Sequence, residues 1–472
     1  MSNHKSQNVK TLLCISYVFP PLINPLANRV QRLLVHFQKK WQIQALTGRD
    51  TNAYLNEEAS VHFVQSWYPK RLIELMSKLK MDKFLELLIW PDNAVFWVLP
   101  ALLKGYQLIK AQKPDAIIVF MMPYSTGLLG IGLKWLTGIP LILSFDDSIS
   151  CTDMHPDAPS WLHYQLGIWL ENFYVRHADA VVYVSQFNLD LVKKRQPLSQ
   201  QSKFNLIRCG VDVLDFTTPI SAPVIETNFE IVYTGGMNGW YKFYHSSEEL
   251  TVLKKLYKAW MKLGHYQIAE IDYCTSSPVF IGQAVQQAIE ECQSWRNRIH
   301  VKLYGNKVPE EILQQVLQNQ NLTEVVSVFS ALPHSQAIQL ARQADILFLT
   351  LPKRTDGSSG GRISCKSYEY LMTDRPILAA VPKGENWNYL EDKQGVWLVE
   401  PTDIEAMSKV VAEVALAKFS GSPLRFDRTA LQQELNYFNL AEEYLKIFER
   451  VGSNSTTMNS VNPACSSNHN KR

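Results

Sequence analysis

Residues 344–371 read ADILFLTLPKRTDGSSGGRISCKSYEYL and predict a strand, a glycine-serine loop and a helix in that order. The apolar run Ala344–Leu351 has the length and composition of a buried parallel strand. The loop has glycines at 357, 360 and 361, so its backbone can approach a ligand closely. The helix that follows begins with unpaired N–H groups and the positive end of its dipole. The stretch therefore predicts an anion-binding corner at the carboxyl end of a strand.

This helix carries one carboxylate, Glu369, on the same face as Lys366 three residues earlier. An ordinary surface ion pair, worth roughly 0.2–0.5 kcal/mol, is the simplest interpretation. The neighbouring Tyr368, Tyr370 and Leu371, however, leave Glu369 little polar surface. An enclosed carboxylate needs hydrogen-bond donors, and sugar hydroxyls supply them. The pattern therefore favours a ligand-binding role for Glu369.

The composition indicates a globular protein of two domains. With 472 residues and 46% hydrophobic content, the chain is too long for one core and suggests two units of roughly 200 residues. A net charge of only +3 gives no reason to expect nucleic-acid binding. None of the seven cysteines has CxxC spacing, which argues against a zinc site and for a reducing compartment. The polar N-terminus lacks an apolar signal core, so we expect a cytoplasmic protein.

The first half alternates short apolar runs with helical stretches. The predicted strands are Thr11–Ser16, Ile43–Thr47, Ala116–Phe120, Leu141–Phe145, Ala180–Val184 and Phe204–Ile207. Such alternation predicts a parallel sheet with helices on both faces. In these sheets ligands bind beyond the carboxyl ends of the strands. We therefore expect Arg29, at the start of a helix after a proline-rich loop, to lie near Asp146 and Asp147. A helix start and a strand-end turn are the alternative roles of these residues.

A segment rich in proline, threonine and serine, Thr217 to Asn228, marks the domain boundary. We expect a first domain over 1–215, a second over 229–425, a C-terminal helix over 426–451 and a disordered tail over 452–472. The second alternation begins with Phe229–Thr234, followed by the glycine loop Gly235-Gly236 as a further candidate anion site. Further strands are predicted at His300–Tyr304, Val325–Phe329, Ile346–Leu351 and Pro376–Val381.

Residues 69–90 are basic and amphipathic. Five lysine and arginine residues alternate with leucines, Ile73 and Phe84, and the segment ends in Trp90. It could lie on an anionic membrane surface, which would place the protein at the inner face of the cell membrane. A core helix with a solvated lysine face is the alternative.

The order of several motifs resembles that of the GT-B glycosyltransferases of the family 4 type, over most of residues 11–450. The similar segments are Phe19-Pro20-Pro21, residues 113–118, 136–140, 176–185, 207–212 and 233–236, residues 361–371, and Arg375-Pro376-Ile377-Leu378. The resemblance implies two doubly wound Rossmann-like α/β domains facing a cleft, with a C-terminal helix crossing back to the first domain.

The resemblance also implies an activity: retaining, metal-independent transfer of a hexosyl group from a nucleotide sugar to a polysaccharide, glycoconjugate or lipid-linked acceptor, with no cofactor. Glu369 would bind the ribose, and Lys366, Arg362 and the amides of Gly360 and Gly361 the diphosphate. Gly235, Gly236 and Lys242 would complete the donor site, and Asp147 and Arg29 would lie near the reaction centre.

Departures from the family pattern leave one alternative open. Family members often carry an earlier glutamate eight positions before the one that Glu369 matches. Gly361 stands at that position here, and residues 241–277 look like an insertion. A catalytically inactive GT-B protein that scaffolds polysaccharide assembly is therefore the competing hypothesis.

Overall fold

The computed structural model describes residues 9–20, 22, 25–48, 60–79, 81–150, 153, 157–217, 228–236, 240–243, 251–261, 266–306 and 310–459. Within these ranges it contains two parallel sheets, each covered by helices. The predicted two-sheet α/β architecture is therefore confirmed.

The first sheet has the strand order β3-β2-β1-β4-β5-β7-β8, and all its pairings are parallel. Its strands are β1 Thr11–Ser16, β2 Gln42–Thr47, β3 Ser60–Phe63, β4 Ala116–Phe120, β5 Leu141–Phe145, β7 Ala180–Tyr183 and β8 Phe204–Leu206; the two-residue strand β6 is Asp157–Ala158. The strand order reverses between β1 and β4. Ligands of doubly wound sheets bind at such a reversal.

The second sheet has the order β13-β12-β9-β14-β16-β17, again parallel throughout. Its strands are β9 Phe229–Thr234, β12 Ile299–Asn306, β13 Val326–Ser330, β14 Ile346–Thr350, β16 Ile377–Ala380 and β17 Val396–Val399; the short strands β10 Tyr266–Gln267, β11 Ile271–Asp272 and β15 Lys353–Arg354 lie outside it. Here the reversal falls between β9 and β14. The glycine loops that follow these two strands therefore meet at one edge of the sheet.

Helices cover both sheets, and the described part of the chain contains seventeen α-helices in all. They are α1 Pro25–Phe37, α2 Lys70–Lys78, α3 Asp82–Leu88, α4 Val95–Gln112, α5 Thr126–Thr137, α6 Trp161–His177, α7 Gln186–Lys193, α8 Leu214–Thr217, α9 Val252–Met261, α10 Val279–Glu291, α11 Glu310–Asn319, α12 His334–Gln343, α13 Cys365–Leu371, α14 Glu385–Leu390, α15 Ile404–Phe419, α16 Thr429–Leu435 and α17 Tyr437–Asn459. Short 3₁₀ helices cover Leu198–Lys203, Trp240–Phe243, Tyr273–Ser276 and Gln293–Trp295.

The predicted C-terminal helix over 426–451 is in fact two helices. The chain is extended at Asn436, which pairs with Val211, and the Asn436 side chain accepts the backbone N–H of Phe438. This cap ends α16 and starts α17. α17 then packs on the first domain, where Phe448 lies 5.2 Å from Phe37 between ring centroids. It continues to Asn459, past the predicted helix end at 451. A helix that is already nucleated extends at little cost.

Other differences from the sequence-based expectations are local. α1 begins at Pro25 rather than Arg29, because the fixed φ of proline suits the first position of a helix. Most of the predicted linker, residues 218–227, and the end of the predicted tail, 460–472, lie outside the described residues. None of the described helices combines the length and apolar character that a membrane span requires.

Candidate active site

A cleft of about 650 Å³ lies between the two sheets. The first domain contributes the start of α1 and the end of β5, and the second contributes the end of β9 and the helices α12 and α13. Arg29, Gly235 and Glu369 are among the side chains and backbone segments that line it. Its volume falls in the range of about 300–1,000 Å³ that is usual for small-molecule sites.

Helix α13 positions Glu369, and contacts at both ends of the helix fix it. At its C-terminal end, the hydroxyl of the buried Tyr370 accepts the backbone N–H of Thr234 at the end of β9 (3.1 Å). At its start, the Asn386 carbonyl oxygen accepts the Ser364 N–H (2.9 Å) and the Ser367 hydroxyl (2.8 Å). Ser364 is the N-cap residue of α13, but its side chain makes no capping bond. The two anchors hold the Glu369 carboxylate at the cleft.

Glu369 lies beside a histidine that the sequence analysis did not single out. Nδ1 of His334, the first residue of α12, is 3.9 Å from the Glu369 carboxylate, and its Nε2 is 3.5 Å from Asp215. Burial raises the pKa of Glu369, while His334 and Lys366 oppose the shift. Asp215 and, more weakly, Glu369 raise the pKa of His334 against the effect of burial. The cleft therefore contains an imidazole held between two carboxylates, which favours its protonated form.

Lys366 lies directly against the glycine loop after β9. A β-carbon at Gly235 would stand 1.9 Å from Lys366 Cε, so a larger residue there would displace the lysine. The Lys366 ammonium is 5.3 Å from the centre of the Tyr233 ring. The Gly235 N–H donates to the Tyr304 carbonyl, and the Gly236 carbonyl accepts the Tyr233 hydroxyl. Gly235 thus gives the lysine room, while its own N–H is engaged in the sheet.

Arg29 and Asp146 form an ion pair at the first-domain side of the cleft. Arg29 is 3% exposed, and it also donates to the Tyr444 hydroxyl of α17 (2.9 Å). Asp147 follows at the same strand end. Burial and the charge of Asp146 raise the pKa of Asp147 to about 6, while Arg362 opposes the shift. Asp147 therefore changes charge near pH 6, at a point where Arg362 of the second domain is close enough to affect its pKa.

The glycine-serine loop before α13 lies at a second, smaller cavity of about 50 Å³. Here the Gly361 N–H donates to the carboxylate of Asp153, a first-domain residue, at 2.5 Å. Arg354 also donates to Asp153 (3.0 Å). A β-carbon at Gly360 would lie 2.5 Å from the same carboxylate, so the close approach requires glycine. The loop thus contacts a carboxylate that belongs to the protein itself.

A second carboxylate, this one from the second domain, accepts hydrogen bonds from the first domain. Glu385, on α14 of the second domain, accepts the backbone N–H groups of Gln186 (2.9 Å) and Phe187 (3.0 Å) at the start of α7. Arg208 donates to the same carboxylate at 3.2 Å. Ser185, the N-cap of α7, donates its hydroxyl to the Gly361 carbonyl. These bonds tie the first domain to both α14 and the glycine-serine loop.

The predicted site residues therefore fall into two neighbouring groups. Glu369, Gly235 and Arg29 line the larger cleft, with Lys366 resting on Gly235. Gly360 and Arg362 line the smaller cavity, and Gly361 binds Asp153 there. Asp147 interacts electrostatically with Arg362 from the first domain. The side chain of Lys242 lies outside the described residues.

Three functional candidates were missed from sequence: Glu385, His334 and Asp153. Glu385 and His334 each follow a predicted strand by a few residues, and that position alone marks them as candidates. Asp153 has no such signal, because its partner Gly361 is 208 residues away. Among the described residues, no group of three or more His, Cys, Asp or Glu side chains could hold a metal ion.

Comparison with known proteins gives a family match over the first domain. Residues 28–213 match the model of Glycosyltransferase Family 4. No curated protein shows a significant match to the sequence.

Solved structures match nearly the whole chain. HepE from Anabaena, crystallised with UDP and glucose, is 12% identical with a TM-score of 0.56, over 93% of this chain and 99% of that one. Sucrose-phosphate synthase from Thermosynechococcus elongatus is 12% identical with a TM-score of 0.56, over 94% of this chain and 100% of that one. A trehalose 6-phosphate synthase from Burkholderia multivorans is 12% identical with a TM-score of 0.55, over 96% of this chain and 98% of that one. At such identities these likenesses establish the fold alone.

The fold and the family match agree with the resemblance found in the motifs. The chain has the GT-B fold, with two doubly wound domains about a cleft. Residues 28–213 match the model of Glycosyltransferase Family 4, and together with the fold this indicates a nucleotide-sugar glycosyltransferase of the GT-B type.

Proposed function

We propose that the protein transfers a hexosyl group from a nucleotide sugar to a polysaccharide, glycoconjugate or lipid-linked acceptor, with retention at the anomeric carbon and without a metal or other cofactor. The observation that carries the proposal is the Glu369 carboxylate at the cleft, on a helix anchored at both ends. HepE, which shares the fold, was crystallised with UDP and with UDP-glucose. That supports a nucleotide sugar as donor and co-substrate.

In this proposal Glu369 binds the ribose hydroxyls. Burial raises the pKa of Glu369, because its charged form is less well hydrated than in water, and two ribose hydroxyls would donate hydrogen bonds that stabilise this charge. Lys366, one turn away on the same helix and next to Gly235, contacts the diphosphate. Lys242 extends the same donor site.

Arg362 and the N–H groups of Gly360 and Gly361 would bind the departing phosphate. Negative charge grows on that group as the sugar leaves, and fixed donors aimed at it lower the barrier. For the Gly361 N–H to take part, the Asp153 carboxylate has to move away from it. The carboxylate already bound there supports the loop's capacity to hold an anion.

On the first domain, Asp147 and Arg29 would lie near the reacting sugar. Arg29 neutralises Asp146, so Asp147 is the acidic side chain at this strand end whose charge is left to act on the substrate. As a carboxylate, Asp147 would stabilise positive charge that develops on the sugar ring. We assign residues 1–215 to the acceptor and 229–425 to the donor. We place the protein in the cytoplasm, at the inner face of the cell membrane.

The test is to incubate the full chain with UDP-, GDP- and ADP-hexoses and to measure release of the nucleoside diphosphate, with and without EDTA. We expect one donor to be consumed at a rate that EDTA does not change. NMR of the glycoside formed with an added acceptor should show the same anomeric configuration as the donor sugar. Inhibition by EDTA or an inverted product would contradict the mechanism. A chain that neither turns over nor binds any of the three nucleotides would be the inactive scaffold instead.

A further inference from the structure

One carboxylate lies entirely inside the first domain. Glu171, on α6, is 0% exposed, and it lines neither the large cleft nor the smaller cavity. A buried charge is costly unless several hydrogen-bond donors surround it. The groups that bond Glu171 therefore indicate what this carboxylate does.

Three of the donors to Glu171 come from consecutive residues of the chain. Its Oε1 atom accepts the Ser148 hydroxyl (2.6 Å) and the Ile149 N–H (3.0 Å). Its Oε2 atom accepts the Ser150 hydroxyl (2.7 Å). Arg195 balances the charge, since its Nη1 lies 3.5 Å from Oε2 and its Nη2 donates to the Ser150 hydroxyl at 2.8 Å. Both carboxylate oxygens thus hold one short segment in place.

A neutral amide could not serve all these donors. Glutamine at position 171 has a single acceptor oxygen, and its NH₂ group would replace the other oxygen. That group would face the Ser150 hydroxyl and Arg195, where it cannot accept a hydrogen bond. The charge of Glu171 is therefore needed for the complete set of bonds.

The segment that Glu171 holds begins directly after Asp147. On the other side, Asp146 is paired with Arg29, and Arg29 also donates to the Tyr444 hydroxyl of α17 (2.9 Å). Asp147 therefore lies between two parts of the chain that are both fixed by buried polar bonds.

The Asp147 carboxylate itself is not held by such bonds. Within the described part of the chain, it makes no hydrogen bond and no ion pair. Burial, Asp146 and Asp153 raise its pKa, and Arg362 of the second domain opposes the shift. The position of this carboxylate is therefore set by the backbone on either side of it.

We propose that Glu171 is a positioning residue, which fixes residues 148–150 and so holds the Asp147 carboxylate towards the second domain. The inference rests on the proposed function, in which Asp147 acts on the reacting sugar. Glu171 touches no substrate, and its effect passes through Asp147. Misplacing a reacting group by about 1 Å can slow a reaction about a hundredfold, so an anchor behind Asp147 affects the rate.

The test is donor turnover by the full chain carrying Glu171→Gln, which keeps the shape of the side chain. We expect kcat to fall about tenfold or more while KM for the donor stays within about twofold, because the proposed donor site lies on the other domain. A looser segment also hydrates Asp147, so the midpoint of kcat/KM near pH 6 should move to lower pH. The double variant Ser148→Ala/Ser150→Ala removes two donors and should act in the same direction. It carries the test if circular dichroism shows that Glu171→Gln is unfolded.

The matched control is Asp345→Asn. Asp345 is 6% exposed, accepts the Glu230 N–H (2.8 Å) and pairs with Lys418 (2.7 Å). It lies just before β14, at the edge of the second sheet opposite the cleft. The control loses a comparable buried carboxylate, so it should be less stable but keep its kcat and its pH midpoint.

Hydrogen–deuterium exchange measures the placement without relying on activity. Residues 146–150 should exchange faster in Glu171→Gln than in the wild type, and at the wild-type rate in Asp345→Asn. Unchanged exchange in Glu171→Gln, an unchanged pH midpoint, or an equal loss of kcat in the control would overturn the inference. A wild type that consumes no donor would instead overturn the proposed function, and the exchange rates would still decide whether Glu171 holds the segment.

Discussion

The two ends of α13 differ in what occupies the space beside them. Near its C-terminal end, Glu369 faces an open cleft and lies beside His334. Near its start, the Gly361 N–H is bound to Asp153, and Glu385 secures the adjoining α14 to the first domain. A nucleoside can enter the first region by displacing water, whereas a phosphate can use the Gly361 N–H only by displacing a carboxylate. The proposed donor site is thus open near Glu369 and occupied by the protein's own Asp153 near Gly361.

Replacing Glu385 should have the largest effect on stability, because it removes bonds between the domains at the side of α13 that the protein's own groups occupy. Glu385→Ala leaves two backbone N–H groups and the partly buried Arg208 without their shared carboxylate. We expect a loss of about 3 kcal/mol in the free energy of unfolding, measured by urea denaturation. The matched control is Glu405→Ala, which also removes a first-turn glutamate and leaves Lys409 exposed to solvent. Equal midpoints for the two variants would contradict the interdomain role.

A substitution at Asp153 tests whether its carboxylate competes with a phosphate for the Gly361 N–H. Asp153→Asn keeps an acceptor for the Gly361 N–H but removes the charge that competes with phosphate. We expect the variant to bind its nucleoside diphosphate about tenfold more tightly by calorimetry. Asp356→Asn is the control, since Asp356 also lies beside Arg354 but bonds Ser358 rather than Gly361. Weaker binding by Asp153→Asn would mean that Asp153 supports the donor site.

The pH dependence of turnover tests the proposed role of Asp147. Burial and Asp146 raise the pKa of Asp147 to about 6, so its carboxylate forms as the pH rises through that value. We expect kcat/KM to rise about tenfold per pH unit below this midpoint and to level above it. The Asp147→Asn variant should have low activity without this rise. A wild-type profile that is flat from pH 5 to 7 would exclude Asp147 as the acting carboxylate.

The same pKa has a consequence for stability. A carboxyl group whose folded pKa is raised stabilises the fold while protonated, and this contribution is lost as the pH rises from about 4 towards 6. Asp147→Asn should therefore be at least as stable as the wild type at pH 7, although it is less active.

The smallest effect on stability is expected for a substitution of His334, which lies beside Glu369 at the open cleft. Its raised pKa means that protonated His334 stabilises the fold below about pH 6.5, and that this contribution is lost as the pH rises through the folded pKa. Since the side chain is 56% exposed, His334→Gln should cost less than about 1 kcal/mol at pH 6 and almost nothing at pH 9. Urea denaturation at both pH values measures the difference. His300→Gln, which removes an imidazole contacting the Asn297 carbonyl, is the control; a loss that does not depend on pH would contradict this assignment.

The sheets were predictable because their strands are buried on both faces. Runs such as 11–16 and 116–120 are almost wholly apolar, and β1 and β4 have the predicted bounds. The mixed composition of residues 60–63 gave no such signal, and β3 was missed. The location of Glu369 at a cleft could be predicted because a lone carboxylate among aromatic residues is conspicuous in a sequence.

The interdomain bonds could not be predicted in the same way. Glu385 and Phe187 are 198 residues apart, and nothing local in either segment names the other as a partner. Glycines 360 and 361 indicated an anion site, but their sequence does not distinguish a phosphate from the Asp153 carboxylate. Local chemistry therefore identifies the kind of group that binds, and the fold decides which one it meets.

The most direct test of the account is calorimetric titration of wild type and Glu369→Gln with UDP, GDP and ADP. If Glu369 binds ribose, one of these nucleotides binds the wild type, and the variant loses about 1.5–3 kcal/mol, or roughly tenfold to a hundredfold in affinity. The variant should remain folded, because burial already disfavours the charge that it removes. Equal affinities for the two proteins, or no binding of any nucleotide to the wild type, would contradict the claim that the second domain holds a nucleoside in the cleft.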